Sequence, residues 1–285
     1  MEIEFVRYNG LGNDYLVYDP NKNNLELNEK QIKLICDRNF GVGSDGILVG
    51  PFFKKEIPMV KIYNSDGSEA EKSGNGIRIF SKYLKDAQYI TSKNFTLHTL
   101  GGDVEVEYKN DTGDIMKVYM GKTTYRSSEI PVSGEDREVI NEEMEFNGKR
   151  YKVTCLSIGN PHCVIPMKHI SKEKACELGK YVENSKNFPN RINMQLLKVI
   201  DRNNIQIEIH ERGSGYTLAS GSSSCAAASA AYKLGLVDKE INVHMPGGKI
   251  EIEILSDESV YMTGKVNSIG VIKLCSSFVD ELLNI

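Results

Sequence analysis

What the chain lacks bounds it first. No apolar run approaches the ~18 residues that a membrane span needs, so no membrane association is expected. Its first residues, Met1-Glu2-Ile3-Glu4, have none of the design of a secretion signal. The six cysteines (Cys36, Cys155, Cys163, Cys176, Cys225 and Cys275) form no CxxC pair and no zinc-like grouping. Reduced thiols in a cytoplasmic protein are the expectation. The five histidines (His98, His162, His169, His210 and His244) show no HExxH and no metal pairing, so no metal is expected. An excess of positive charge is also missing. A net charge of −4 and a pI near 5.8 leave no electrostatic footprint for nucleic acid. Lys54-Lys55 and Lys172 to Lys174 read as solvated surface, and no low-complexity or linker segment occurs.

What is present is an ordinary globular composition, 40% hydrophobic and 26% charged. At 285 residues the chain fits one large domain or two smaller ones. Strand-like alternation runs through Glu2 to Tyr8, Met59 to Tyr63, Asp103 to Tyr108, Gln206 to His210, Lys249 to Leu255 and Val260 to Gly264. Helical patterning covers Asn28 to Asn39, Ser73 onward (with Ile77, Phe80 and Leu84 on one face), Ser171 to Glu183, and Gly221 to Leu234 before Gly235. Many strands with few helices predict an α+β protein. The segment Cys225-Ala226-Ala227-Ala228-Ser229-Ala230-Ala231 carries almost no large side chains and no charge until Lys233. Small residues on all faces suit a helix threaded through a curled sheet.

The chain also repeats itself. Gly12-Asn13 returns as Gly159-Asn160, and Ser73-Gly74 returns as Ser220-Gly221, both after 147 residues. Gly101-Gly102-Asp103-Val104-Glu105-Val106-Glu107 returns as Gly247-Gly248-Lys249-Ile250-Glu251-Ile252-Glu253 after 146. Three patterns in one order at nearly one spacing indicate an internal duplication. Boundaries are expected near Gly121 and Asn267, giving a first half of 1–121 with 267–285 and a second half of 122–266. Two equivalent groups, one per half, suit a reaction that takes a proton from one face of a carbon and returns it to the other.

The serines lie in glycine-rich loops that enter helices, Asp66 to Arg78 and Glu211 to Ser224. A helix N-terminus offers free N–H groups and the positive dipole end, which bind an anion such as an α-carboxylate. The same place lowers the pKa of a thiol, whereas a serine hydroxyl needs an adjacent base to act. Neither serine has the Gly-x-Ser-x-Gly elbow, because Glu71 and Leu218 stand two positions before them. Gly41-Val42-Gly43-Ser44-Asp45-Gly46 begins like a phosphate loop, but Ile47-Leu48 follows in place of Lys-Ser/Thr. A structural turn would explain either serine loop alone. Two in duplicated positions point to a site.

Four segments together resemble the diaminopimelate epimerase family, whose cofactor-independent reaction serves lysine and peptidoglycan biosynthesis. They are Tyr8-Asn9-Gly10-Leu11-Gly12-Asn13-Asp14, Asn64 to Arg78, Gly159-Asn160-Pro161-His162, and Glu211-Arg212-Gly213-Ser214-Gly215 to Ala219. The resemblance implies two pseudo-symmetric domains, each a curled, mostly antiparallel, barrel-like sheet around a central helix, with the active site in the interdomain cleft. It implies no cofactor, a small amino-acid substrate, and a monomer or homodimer. One cysteine per half would form a thiolate/thiol pair, and those positions are Ser73 and Ser220. Asn13, Asn64, Asn160, Asn193, Glu211 and Arg212 would hold the distal, non-reacting end. The N–H groups of Gly74, Asn75, Gly221 and Ser222 would cradle the α-carboxylate.

Both cysteines are replaced while the binding positions are kept. That is the pattern of a paired Cys→Ser replacement, expected to bind substrate without turning it over. Tyr216 and Ser223 depart from the family as well, where an acid and a glycine are usual. Alternatives are another amino acid (lanthionine or histidine), or a natural non-catalytic amino-acid binding protein. A lyase or dehydratase of the related proline racemase group, in which one cysteine can be replaced, is disfavoured because both are gone here.

Overall fold

The computed structural model describes residues 2–285. These divide into two compact units, one reaching to Val118 and joined by Gly264–Ile285, the other Tyr119–Thr263.

In the first unit the chain runs β1 (Glu4–Gly10), β2 (Asn13–Tyr18), α1 (Glu29–Cys36), β3 (Gly46–Lys54), β4 (Ile57–Asn64), β5 (Glu69–Ala70), α2 (Gly74–Asp86), β6 (Asn94–Thr99), β7 (Gly102–Tyr108) and the start of β8 (Ile115–Lys122), whose last residues belong to the second unit. Hairpin pairs β1–β2, β3–β4, β6–β7 and β7–β8 are antiparallel. The two pairs bridged by a helix, β2–β3 across α1 and β4–β6 across α2, are parallel, as a crossover connection requires.

The second unit opens with β9 (Glu142–Phe146) and then repeats that order. It continues through β10 (Lys149–Ser157), β11 (Pro161–Pro166), α3 (Lys172–Glu183), β12 (Asn193–Asp201), β13 (Asn204–Glu211), β14 (Gly215–Thr217), α4 (Gly221–Lys233), β15 (Glu240–Met245), β16 (Gly248–Ile254) and β17 (Ser259–Lys265). Again the pairs spanned by helices, β11–β12 and β13–β15, are the parallel ones. The flanking strand differs. β9 forms a hairpin with the strand after it, whereas β1 is flanked by the chain's last strand, β18 (Asn267–Lys273), which is followed by α5 (Ser276–Leu283). Each sheet is therefore mostly antiparallel, with its two parallel pairs placed where the helices cross.

Helix limits follow local chemistry. Asn28 caps α1 with a reciprocal box: its Oδ1 accepts the Gln31 N–H at 3.0 Å and Gln31 Oε1 accepts the Asn28 N–H at 2.9 Å. The apolar pattern predicts this helix to Asn39, but it stops at Cys36. Asp37 takes an extended conformation, and its carboxylate accepts the N–H groups of Asn39 and Phe40, turning the chain instead.

The alanine-rich helix α4 is the centre of its unit. It packs against β10, β11, β12, β13, β15 and β16, and every residue from Ser223 to Ala231 is buried. Side chains no larger than cysteine let strands close in on all sides. α2 is buried almost as completely, although its sequence shows an amphipathic face with Arg78 and Lys82 outside it. Both side chains find polar partners inside: Arg78 Nη2 donates to Asn75 Oδ1 at 2.6 Å, and Lys82 pairs with Asp86 and donates to the Thr112 carbonyl.

Because α4 is buried on every side from Ser223 to Ala231, enlarging that stretch must displace strands. Ala228→Leu, at a position with no exposure, should cost about 1–3 kcal/mol by overpacking. Tyr232→Leu, 40% exposed on the same helix, should stay within about 0.5 kcal/mol. Chemical denaturation midpoints of the two variants provide the comparison.

Candidate active site

Each unit presents one serine at the N-cap of its buried helix. Ser73 and Ser220 both have extended backbone, and both helices run for 13 residues. Ser73 Oγ accepts the Gly76 N–H at 3.1 Å, and Ser220 Oγ accepts the Ser223 N–H at 3.4 Å. The first-turn N–H groups of a helix have no acceptor within it. With the third taken by the cap, those of Gly74 and Asn75, and of Gly221 and Ser222, remain for a ligand anion.

The surroundings of Ser73 are built from β2 and the loop before β3. Asn13 Oδ1 accepts from Asn75 Nδ2 at 3.2 Å, so the strand's first residue touches the second residue of the helix. Asp45 holds the other end of that asparagine. Its Oδ2 accepts Asn13 Nδ2 at 2.7 Å and the Asp14 N–H at 3.0 Å, and its Oδ1 accepts from Arg38 at 2.8 Å. Arg38 also binds Asp14, which pairs with Arg7 as well. Burial works against the Asp14 charge, but Arg38 and Arg7 outweigh it and keep its carboxyl below the usual carboxylate range. The Tyr15 hydroxyl lies 3.4 Å from Ser73 Oγ. Its ring lies across Gly46, where a Cβ would come within 2.7 Å of the ring and 2.2 Å of the Tyr63 carbonyl oxygen. Only glycine leaves that passage open. Asn64 ends β4 on the surface, with its amide donating to Ser68 Oγ within the following turn.

The Ser220 side repeats the asparagine contact with different bracing. Asn160, like Asn13, reaches the second residue of its helix: Nδ2 lies 3.4 Å from Ser222 Oγ. Its Oδ1 accepts from His162 Nε2 at 2.9 Å, and Gln195 Nε2 donates to His162 Nδ1 and to Ser223 Oγ, each at 3.0 Å. That fixes His162 as the Nε2–H tautomer. Burial is the main reason its pKa falls to about 3, with the Arg212 charge adding to it and Gln195 opposing it.

Glu211 stands at the end of β13, with Ser220 among the groups that act on its carboxyl. Burial raises its carboxyl pKa, and the neighbouring Ser220 and Thr217 hydroxyls only partly offset that. Asn193 accepts the Arg212 N–H at 2.9 Å and donates to the Pro161 carbonyl at 2.8 Å. Arg212 donates through Nη1 to the Asn190 carbonyl at 3.0 Å, and its exposed guanidinium makes no ion pair among the described residues. Tyr216, at a position noted as unusual for the family, donates to Glu208 at 2.7 Å.

Asp45, Tyr15, Gln195 and His162 were not singled out from the sequence as site residues. Asp45 sat in the loop rejected as a phosphate binder. Gln195 had a readable signal: Asn193 and Gln195 are alternate polar residues in the otherwise apolar opening of β12, and so lie on one face. No group of three or more metal-ligating side chains gathers among the described residues. No helix among them is long and apolar enough to cross a membrane.

This fold recurs in solved structures. A phenazine biosynthesis protein of the PhzF family from Bacillus anthracis superposes with a TM-score of 0.67 at 13% identity, covering 96% of this chain and 99% of that one. A probable proline racemase from Agrobacterium radiobacter superposes at 0.69 with 11% identity, covering 99% and 95%. The chain thus has the two-unit fold of the racemase, epimerase and PhzF proteins, with a capped helix N-terminus in each unit. A family model described as diaminopimelate epimerase matches residues 5–126 and 154–269. Diaminopimelate epimerase 2 of Nostoc sp. is 48% identical over 99% of this chain and its own full length. Diaminopimelate epimerase of Caldanaerobacter subterraneus is 37% identical over 94% of this chain and 97% of the relative. The chain belongs to the diaminopimelate epimerase family.

The His162 environment sets a pH dependence. The unfolded ring takes up a proton near its ordinary value of about 6.5, while the folded ring resists until about 3. Between these values the unfolded state binds more protons, so this contribution is complete above pH ~6.5 and is lost on acidification toward ~3. His162→Gln should flatten that part of a stability profile measured by denaturant midpoints from pH 7 to 4. A profile with unchanged slope would show that His162 is not the group responsible.

Proposed function

We propose that this chain binds diaminopimelate in the manner of a cofactor-independent epimerase, with residues 73 and 220 at the positions that exchange the α-proton. With cysteine there, a thiolate takes the proton from the α-carbon and a thiol on the opposite face returns another, so LL-diaminopimelate becomes the meso form. No bond is made to a cofactor, and the two sulfurs exchange roles for the reverse reaction. The observation that carries the reading is the duplicated geometry: a capped helix with two first-turn N–H groups to spare in each unit. Those donors suit an α-carboxylate and stabilise negative charge that develops as the proton leaves.

Arg212, with no carboxylate of its own, suits the distal carboxylate of a two-headed amino acid through a paired contact that lysine cannot copy. That favours diaminopimelate over histidine or another one-headed amino acid. Glu211, whose carboxyl pKa is raised by burial, is the local base for position 220, so its carboxylate would draw the proton from a cysteine placed there. A serine hydroxyl is far less acidic, and one buried carboxylate does not make it an equivalent of a thiolate. The chain as written is therefore a binder that does not turn over, a Cys→Ser form of the epimerase.

Two measurements test this. Solvent deuterium should enter the α-carbon of LL-diaminopimelate with the Ser73→Cys/Ser220→Cys protein, and essentially not with the chain as it stands. Comparable wash-in by both would refute the two-thiol assignment. In the cysteine-restored protein, Arg212→Lys should weaken diaminopimelate binding by roughly 1.5–3 kcal/mol, the scale of a lost charged hydrogen bond. Unchanged affinity by calorimetry would assign Arg212 to the fold and reopen the choice of substrate.

A further inference from the structure

Glu183 is a carboxylate that the fold holds at some cost and that the reaction does not touch. It ends α3, where the helix dipole opposes negative charge, and its side chain is only 9% exposed. All of its capacity is directed at neighbours. Oε1 accepts the Gly213 N–H at 2.9 Å and Arg191 Nη1 at 3.0 Å, and Oε2 accepts from His210 Nε2 at 3.0 Å. Burial opposes the charge, but the Gly213 N–H, His210 and Arg191 together hold the carboxyl below its ordinary range. His210 Nδ1 is buried without a partner, so the ring proton sits on Nε2 and points at Glu183. The ring itself lies against Gly179 of α3, where a Cβ would fall 2.2 Å from the ring carbon Cγ. A helix interior is weakened by glycine, yet no other residue leaves room for this histidine.

A role in stability alone would be met by an apolar side chain of the same volume. What an apolar side chain cannot do is accept the Gly213 N–H. That N–H follows directly on Arg212, whose own N–H is held by Asn193 and whose Nη1 is held by the Asn190 carbonyl. The main chain is thus fixed immediately before and immediately after the arginine side chain. The guanidinium is left with one donor anchored and the others open.

We propose that Glu183 is a positioning residue for Arg212. It sets the affinity for the distal carboxylate of a two-headed amino acid without contacting it. The inference rests on the diaminopimelate reading above for its ligand, but the positioning itself can be measured without one.

The test is a double-mutant cycle on the chain as it exists, with calorimetry of meso-diaminopimelate binding to the parent, Glu183→Gln, Arg212→Lys and the double variant. Glutamine keeps the shape but accepts through one oxygen only. Glu183→Gln should weaken binding about tenfold in the parent, and by less than about twofold once Arg212 is already lysine. Equal losses in both backgrounds would mean general support of the fold and would overturn the proposal. Glu183→Asp, one methylene shorter, supplies the same comparison if the glutamine chain folds poorly. If the parent binds no diaminopimelate, the functional reading falls, and the exchange rate of the Gly213 amide decides the positioning role. Exchange faster by about tenfold or more in Glu183→Gln upholds it; an unchanged rate overturns it.

Discussion

The site depends on a constraint common to all helices: the first-turn N–H groups have no acceptor within the helix. In α2 and α4 a serine satisfies one of them, and the two before it stay open. Everything else at the site fixes where those donors point. Both helices are buried along most of their length, so their N-termini cannot shift without moving the strands around them. That rigidity holds each pair of N–H groups in fixed directions, unlike those of a frayed helix end.

Near their helix N-termini the two units repeat a contact and vary its support. Asn13, at the start of β2, and Asn160, just before β11, each reach the second helical residue. Asn13 is braced by Asp45 within a network of charges, Asn160 by the neutral His162 and Gln195. Duplication explains the repeated contact. The divergent bracing leaves one half lined by charge and the other by a buried neutral ring. The residues beside the two serines differ as well: a tyrosine hydroxyl near Ser73, and a carboxylate of raised pKa on Ser220.

Much of this was legible in the chain. The 147-residue offset survives in three dimensions as matched helices starting at Gly74 and Gly221, and as one strand order used twice. The missing charge in Cys225 to Ala231 correctly indicated a helix enclosed by strands. Other features were hidden for physical reasons. The burial of α2 was not readable, because Arg78 and Lys82 look like a solvent face until Asn75, Asp86 and Thr112 are seen to satisfy them. The end of α1 was set by the Asp37 side chain turning the backbone, which apolar periodicity does not register. Asp45 carried no motif, since its role exists only through the asparagine it orients.

The sequence by itself determined the duplication, the α+β class, the two serine-capped helix entries and the family, because these reside in local spacing and side-chain chemistry. The tertiary structure decided which polar groups meet. Asn193 was committed to the Arg212 main chain, and Glu183 was joined to Gly213 across 30 residues of sequence. Such contacts are made by sheet register and helix packing, and a side chain's partner is a property of those long-range arrangements rather than of its neighbours along the chain.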